Sequence, residues 1–224
     1  ENPAAYQQAN VVGTQNLLEF AVSKNIKQFV FASSSSVYGI NDHFPWKEDE
    51  ELIPISPYAS TKLAGEHLGK TYSEQHNFRF IALRFFTVYG PGQRPDLAIH
   101  KFTKAIFNEE PLTVYGDGST SRDYTYVGDT VNGILAALEY QGSNFEIINL
   151  GNHYSIPLLE LIRAVEKAVG KKAELQYGPE QPGDVPKTYA DISKAQQLLG
   201  YNPSTTLEVG LAHFVQWYRE QRGA

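Results

Sequence analysis

The chain has 224 residues, enough for one large domain or a domain and a half. Hydrophobic residues make up 42% and charged residues 20%, ordinary for a globular protein, and the net charge of -6 argues against nonspecific binding to nucleic acid or acidic membranes. Cysteine is absent, which excludes disulfides, thiol catalysis and cysteine metal sites and fits a reducing cytoplasm, and no apolar run approaches the ~20 residues of a membrane span.

In chain order, Asn2-Pro3 reads as a helix start, with Asn as N-cap and Pro at the first helical position. Ala5, Ala9, Val12, Leu17, Phe20 and Ala21 follow at near-helical spacing, and the helix ends near Asn25. Gln28-Phe29-Val30-Phe31-Ala32 predicts a buried parallel strand that runs into a serine cluster, Ser33 to Ser36. Residues 40–56 form a polar loop rich in Asp and Glu, either simply solvated or part of a substrate mouth. A helix is predicted over 57–76 and a second strand over 79–85, giving a strand–helix–strand unit with a right-handed crossover.

After Pro91 the character changes. The pattern predicts a helix over 97–109 and a short strand Leu112–Tyr115 that ends at a Gly-Asp-Gly turn. A strand Asp123–Val127, a helix over 129–140 and a strand Phe145–Leu150 follow. Ser155-Ile156-Pro157 opens a helix with Leu158, Leu161, Ile162, Val165 and Val169 on one stripe and Gly170 as its stop. Thr205 and Glu208 are read as the capping box of the last helix, whose face is Leu207, Leu211, Phe214, Val215 and Tyr218.

Chemistry concentrates in two segments, Ala32 to Gly39 and Pro57 to Lys62. Tyr58 and Lys62 are four apart, so they share one helix face. An ammonium beside a phenol favours the phenolate, and a phenolate can take a proton from a sugar hydroxyl that Ser34 holds in place. A Tyr and a Lys at this spacing are weak evidence alone, because an exposed aromatic and a solvated lysine satisfy it too. Their place in a strand–helix–strand unit, at the carboxyl ends of the strands, is where open α/β sheets bind ligands. The histidines show no metal-ligand spacing.

Together with Asn10 to Thr14, Leu83 to Pro91, Gly116 to Gly118, Arg122 to Val127 and Pro182 to Val185, these segments resemble the extended short-chain dehydrogenase/reductase family, in its NAD-dependent nucleotide-sugar epimerase/dehydratase branch. The resemblance implies an α/β fold: a Rossmann-like, doubly wound parallel sheet with a small α+β substrate-binding lobe. It implies that residues 1–95 are the C-terminal part of the NAD-binding domain. Residues 96–224 are then mainly the sugar-nucleotide lobe, with sheet-completing elements near 122–150. The implied activity is epimerisation of a UDP-sugar at C4 through a 4-keto intermediate, with NAD as cofactor. The sugar is a UDP-glucose/galactose or UDP-glucuronate/galacturonate pair. Alternatives are another dehydratase or reductase of the family, or a noncatalytic sugar-nucleotide-binding fragment.

Site residues carry over one at a time. Ser34, Tyr58 and Lys62 take the catalytic places. Asn10 and Phe85, with Tyr58 and Lys62, take cofactor-binding places, although Asn10 could be a structural helix residue and the Phe85 side chain core. Ser36, Thr87, Thr113, Tyr115, Arg122 and Asp184 take substrate places. For Arg122 a planar fork suits two diphosphate oxygens; the alternative is a surface ion pair. Ser35 and Ser36 stand where the 4,6-dehydratases carry Asp-Glu, and Ser36 where UDP-glucuronate decarboxylases carry Glu, so elimination and decarboxylation lack their acids. Gln181 replaces a second phosphate Arg of UDP-galactose epimerases, and with Arg94-Pro95-Asp96-Leu97-Ala98 is more like the UDP-glucuronate epimerases.

No glycine-rich phosphate loop between strand and helix is found, and there is no Met. The resemblance puts that loop upstream of Glu1, with the chain starting in the helix after the fourth sheet strand. It also implies that residues 1–224 alone hold NAD poorly and turn over little, and that helices 3–24 and 57–76 pair with those of a second copy in a homodimer.

Overall fold

The computed structural model describes residues 2–180 and 185–222. One continuous helix, α1, runs from Pro3 to Ser23, with Asn2 capping it through the Ala5 N–H at 3.3 Å. Its middle, Gln7–Val12, is π-helical. Strand β1 (Gln28–Ser34), helix α2 (Pro57–His76) and strand β2 (Arg79–Phe85) follow. Ser56 caps α2 through the Ala59 N–H at 3.2 Å, and Pro57 occupies its first turn, where a missing N–H costs nothing.

The remaining elements are β3 (Thr87–Tyr89), α3 (Ala98–Asn108), β4 (Leu112–Tyr115), β5 (Ser121–Tyr126), α4 (Val127–Glu139) and β6 (Phe145–Leu150). Then come β7 (Ser155–Pro157), α5 (Leu158–Val169), β8 (Leu175–Gly178), α6 (Ser193–Leu199) and α7 (Leu207–Arg222). No helix among the described residues is long and apolar enough to cross a membrane.

The main sheet has the order β1-β2-β6, all parallel, in the α/β arrangement expected. A second sheet joins β3 parallel and β7 antiparallel to β5, and β4 pairs with β8 in a third. Central β2 is buried almost throughout, as a run of Phe, Ile, Ala and Leu in a parallel sheet should be. The first strand is less buried than its sequence suggests: Phe29 and Val30 are half-buried and Ala32 is exposed. Within the described sheet β1 has β2 on one side only.

Two further expectations are corrected. Ser155–Pro157 does not open a helix; it pairs with Ser121–Asp123, and the helix begins at Leu158. The hydroxyl that caps α7 is Thr206, which accepts from the Val209 N–H at 3.4 Å, while the Thr205 backbone donates to Asp129.

Helix α2 lies close on the main sheet. A Cβ at Gly65 would overlap the Phe31 ring, and one at Gly69 the Phe80 ring. Phe80 stacks at 5.7 Å on both Phe29 and Phe31 and at 6.1 Å on Phe145, so it has no room to yield. Gly69→Ala is therefore expected to destabilise the fold by about 1–3 kcal/mol, despite alanine's better helix propensity. A denaturant midpoint that rises in this variant would contradict such close packing.

Candidate active site

The site begins where β1 ends. Ser34 is its last residue and is buried; the chain then turns through one 3-10 turn, Ser35–Tyr38. That turn brings Ser36 back onto Ser34: the Ser36 N–H donates to Ser34 Oγ at 3.2 Å, and the two hydroxyls are 3.0 Å apart. Phe85 pairs with Ser34 in the β1–β2 register, and its half-buried side chain packs into the core beneath the turn.

The first turns of α2 supply the rest. Tyr58 is half-buried, its ring edge-on to Tyr6 of α1 at 5.6 Å. Lys62, one turn further, donates from Nζ to the Ala32 carbonyl at 2.8 Å, which moors the helix to the end of β1. Its ammonium lies 5.8 Å from the centre of the Tyr58 ring and 5.3 Å from that of Phe31. Burial pulls Lys62 below the ordinary lysine range. The same low dielectric strengthens the field of the charged form on the neighbouring phenol. Asn10, in the π-helical stretch of α1, donates to Thr61 Oγ1 at 3.0 Å, and Thr61 Oγ1 donates to the Tyr58 carbonyl at 2.8 Å. Asn10 thus touches the turn that carries Tyr58.

Two cavities adjoin this group. The smaller, about 240 Å³, is lined by Ser35, Ser36, Ser56, Thr87, Arg122 and Thr188 among others. Ser36 is bonded to Ser34 and Ser56 lies two residues before Tyr58, so this cavity reaches the acid/base group from both strand and helix. The larger, about 480 Å³, takes in Thr87, Thr113, Tyr115 and Arg122, with Gln93 and Phe102 on its wall. Thr87 and Arg122 line both, so the two cavities adjoin there and make up a cleft rich in hydroxyls at one end and mixed at the other. Arg122 is half-buried on β5 and donates from Nη1 to the Ser121 carbonyl at 2.9 Å. Asp184 and Gln181 lie outside the described residues. An open groove of about 650 Å³ along Phe145–Ile147 touches none of the predicted residues.

Ser56 and Thr188 were missed from the sequence. Ser56 had a signal, since a Ser before a Pro is a cap, but a cap is not evidence of a cleft wall. Thr188 had none. It sits outside helix and strand and is brought in by the Asp123 N–H, which donates to its Oγ1 at 3.0 Å.

Asp123 is what holds this corner together. Wholly buried, it accepts from the Asn152 N–H at 2.7 Å, the Ala190 N–H at 3.2 Å and Thr125 Oγ1 at 3.2 Å. Burial outweighs these bonds and pushes its carboxyl up to about 6. Because that lies above the ordinary unfolded value, the folded state binds the proton more readily, and lowering the pH through 6 favours folding through this group. The parent's stability, relative to Asp123→Asn, is expected to rise by about 1 kcal/mol between pH 7 and pH 5 and to level off below about pH 4. Denaturation curves of the two proteins at matched pH check this; a difference that shrinks on acidification would contradict it.

Residues 1–151 match the NAD dependent epimerase/dehydratase family model. A UDP-glucuronate 4-epimerase from Thermodesulfobacterium geofontis is 41% identical over 222 residues, 98% of this chain and 68% of the relative. A crystal structure of UDP-glucuronic acid 4-epimerase from Bacillus cereus, in complex with UDP-glucuronic acid and NAD, superposes with a TM-score of 0.91 at 40% identity, covering 96% of this chain and 68% of that one. The UDP-glucose 4-epimerase of Thermotoga maritima with UDP-glucose superposes with a TM-score of 0.94 at 33% identity, covering 99% of this chain and 72% of that one.

Proposed function

The chain belongs to the NAD-dependent epimerase/dehydratase family, and on that premise we propose that it inverts C4 of a UDP-sugar. The observation that carries the reading is the cleft beside this group: its smaller cavity is lined by Ser36, which is hydrogen-bonded to Ser34, and by Ser56, two residues before Tyr58, and Thr87 and Arg122 line both cavities. Relatives that act on UDP-glucuronate and UDP-glucose support it, and Arg94 to Ala98 favours the hexuronate. Residues 1–95 then face the nicotinamide, and residues 96–224 mainly hold the sugar nucleotide, with 122–150 completing the sheet.

The residues present fit the nicotinamide end of the cofactor. Tyr58 and Lys62 are half-buried, and a phenol beside an ammonium is a donor set suited to a ribose diol. Asn10 stands one helical turn away through Thr61, and Phe85 is beside Ser34. NAD, when bound, supplies the reversible oxidation of the sugar carbon. Tyr58 takes the proton of the C4 hydroxyl and later returns one to the same oxygen, once that oxygen belongs to a ketone presenting its opposite face. Ser34, steadied by Ser36, holds the reacting oxygen. Lys62 stabilises the phenolate. Thr87 and Arg122 bind diphosphate oxygens, while Thr113 and Tyr115 border the base; Ser36 and Asp184 are further substrate contacts in this reading. A cytoplasmic location accompanies it.

The test is conversion of UDP-glucuronate and of UDP-glucose, followed by chromatography with NAD present. In the complete enzyme Tyr58→Phe is expected to lower kcat by about 10²–10⁴-fold with little change in KM, because it deletes the proton acceptor and keeps the ring. Near-normal turnover in this variant would remove Tyr58 from its role.

We further propose a homodimer through α1 and α2. Leu17 and Phe20 are 57% and 55% exposed on α1, and Pro3, Ala4, Val11, Pro57 and Ala64 line a groove between the two helices that another helix could enter. Sedimentation at micromolar concentration should give twice the chain mass; a monomer would rule the pairing out.

A further inference from the structure

Tyr58, Lys62 and Glu66 stand at i, i+4 and i+8 of α2, on one stripe. The first two serve the site; Glu66 points below it into the protein and is 2% exposed. Its Oε1 accepts from Ser33 Oγ at 2.5 Å, and Ser33 is the residue before Ser34. Arg84 donates to both Glu66 oxygens, from Nε at 3.0 Å and Nη2 at 2.9 Å. In the sheet register Ser33 pairs with Arg84, and Arg84 with Asn149. The row closes through Tyr38, whose hydroxyl accepts from Arg84 Nη1 at 2.9 Å and donates to Asn149 Oδ1 at 2.8 Å. All of these side chains are buried. Below this row the Phe31 and Phe80 rings lie against Gly65 and Gly69, and only near the far end of α2 does a further directional tie appear among the described residues, where Ser73 donates to the Phe78 and Asn144 carbonyls at 2.8 Å.

The rings against the glycines set how close α2 lies to the sheet, but apolar contact is not directional. A two-pronged Arg–carboxylate pair is. We propose that Glu66, held by Arg84 and Ser33, is a positioning residue that sets the height of α2 and so the distance of Tyr58 from Ser34. Glu66 touches neither substrate nor cofactor. It acts through the helix it shares with Tyr58 and through the serine next to Ser34. Lys62 ties the same helix to the Ala32 carbonyl, so strand and helix are joined at residues 32 and 33, immediately before Ser34.

The inference rests on the epimerase reading, and its test separates the two. Ser33→Ala removes only the tie from Glu66 to β1 and leaves the buried ion pair whole. Its kcat for UDP-sugar epimerisation should fall about 10- to 100-fold, the effect of a misplacement near 1 Å, with KM within about twofold. Ser33→Thr, which keeps a hydroxyl, should recover most of the loss. Glu66→Gln should lose at least as much, and adding Ser33→Ala to it should cost nothing more, because both act in one unit. Glu66→Gln leaves the Arg84 charge buried without a counter-charge; if it does not fold, the two Ser33 variants decide alone. Parental kcat in Ser33→Ala, or equal losses in Ser33→Ala and Ser33→Thr, would overturn the role. Residues 1–224 alone are expected to turn over little, so a parent with too little activity to compare speaks against neither the clamp nor the functional reading. The clamp is then read from amide exchange over residues 57–64, which should quicken in Ser33→Ala; unchanged exchange there would overturn it.

Discussion

The rest of the structure depends on how closely α2 approaches the main sheet. A 20-residue helix carrying a Tyr and a Lys near its start is useful only if that start is held against the end of β1. Gly65 and Gly69 make the approach possible by leaving room for the Phe31 and Phe80 rings. Ser56 and Pro57 fix where the helix starts, and the Lys62 bond to Ala32 fixes where it meets the strand. Remove the close approach and Tyr58, Lys62 and Ser34 become three unrelated residues on a surface. Together they form a group beside a cleft, with Glu66 and then the Phe31 and Phe80 rings beneath it.

The second constraint is the one that brings the lobe to the sheet. Thr87 and Arg122 belong to β3 and β5, which pair with each other but not with the main sheet. Their position relative to Ser34 is set instead by links between chain segments. Phe86 donates its N–H to the Leu150 carbonyl at 3.2 Å, which ties the turn before β3 to the end of β6. Asp123 gathers the loop after β6 and the segment at 188–190 around β5. A carboxylate buried among three donors suits this work, because each bond has a direction and each donor comes from a different stretch of chain. The cleft is therefore a junction, and Thr87 and Arg122 line both of its parts because they stand at the seam.

Much of this was legible in the sequence, for physical reasons that differ by element. Strands 79–85, 112–115 and 145–150 and the helix over 57–76 stand where the pattern put them, since buried parallel strands are unbroken apolar runs and a Ser-Pro pair marks a helix start. Strand β8 went unread: Leu175–Gly178 is half-exposed, and its partner β4 lies sixty residues away. The π-helical stretch around Asn10 has no period of its own to betray it. Ser155–Pro157 looks like a helix entry because Pro fits both a first turn and the end of a short edge strand. At the site, the Tyr58–Lys62 spacing gave a local argument, whereas Thr87, Thr113, Tyr115 and Arg122 were marked only by resemblance. The Ser33–Arg84–Asn149 row was invisible. An Arg inside an apolar strand reads as a strand end until the register shows what lies beside it.

What the cleft lacks bears on its chemistry as much as what it holds. Among the described residues that line the cavity beside Ser34, the hydroxyls of Ser35, Ser36, Ser56, Thr87 and Thr188 stand with Arg122, and none is a carboxylate. Elimination of water needs an acid for the leaving oxygen and a base for the carbon proton, working at the same time on different atoms. Inversion at C4 needs less. The proton that leaves the hydroxyl is the proton that must return, so a single phenol can serve both directions. A serine pair where an acidic pair would otherwise stand thus restricts the reaction by withholding a reagent.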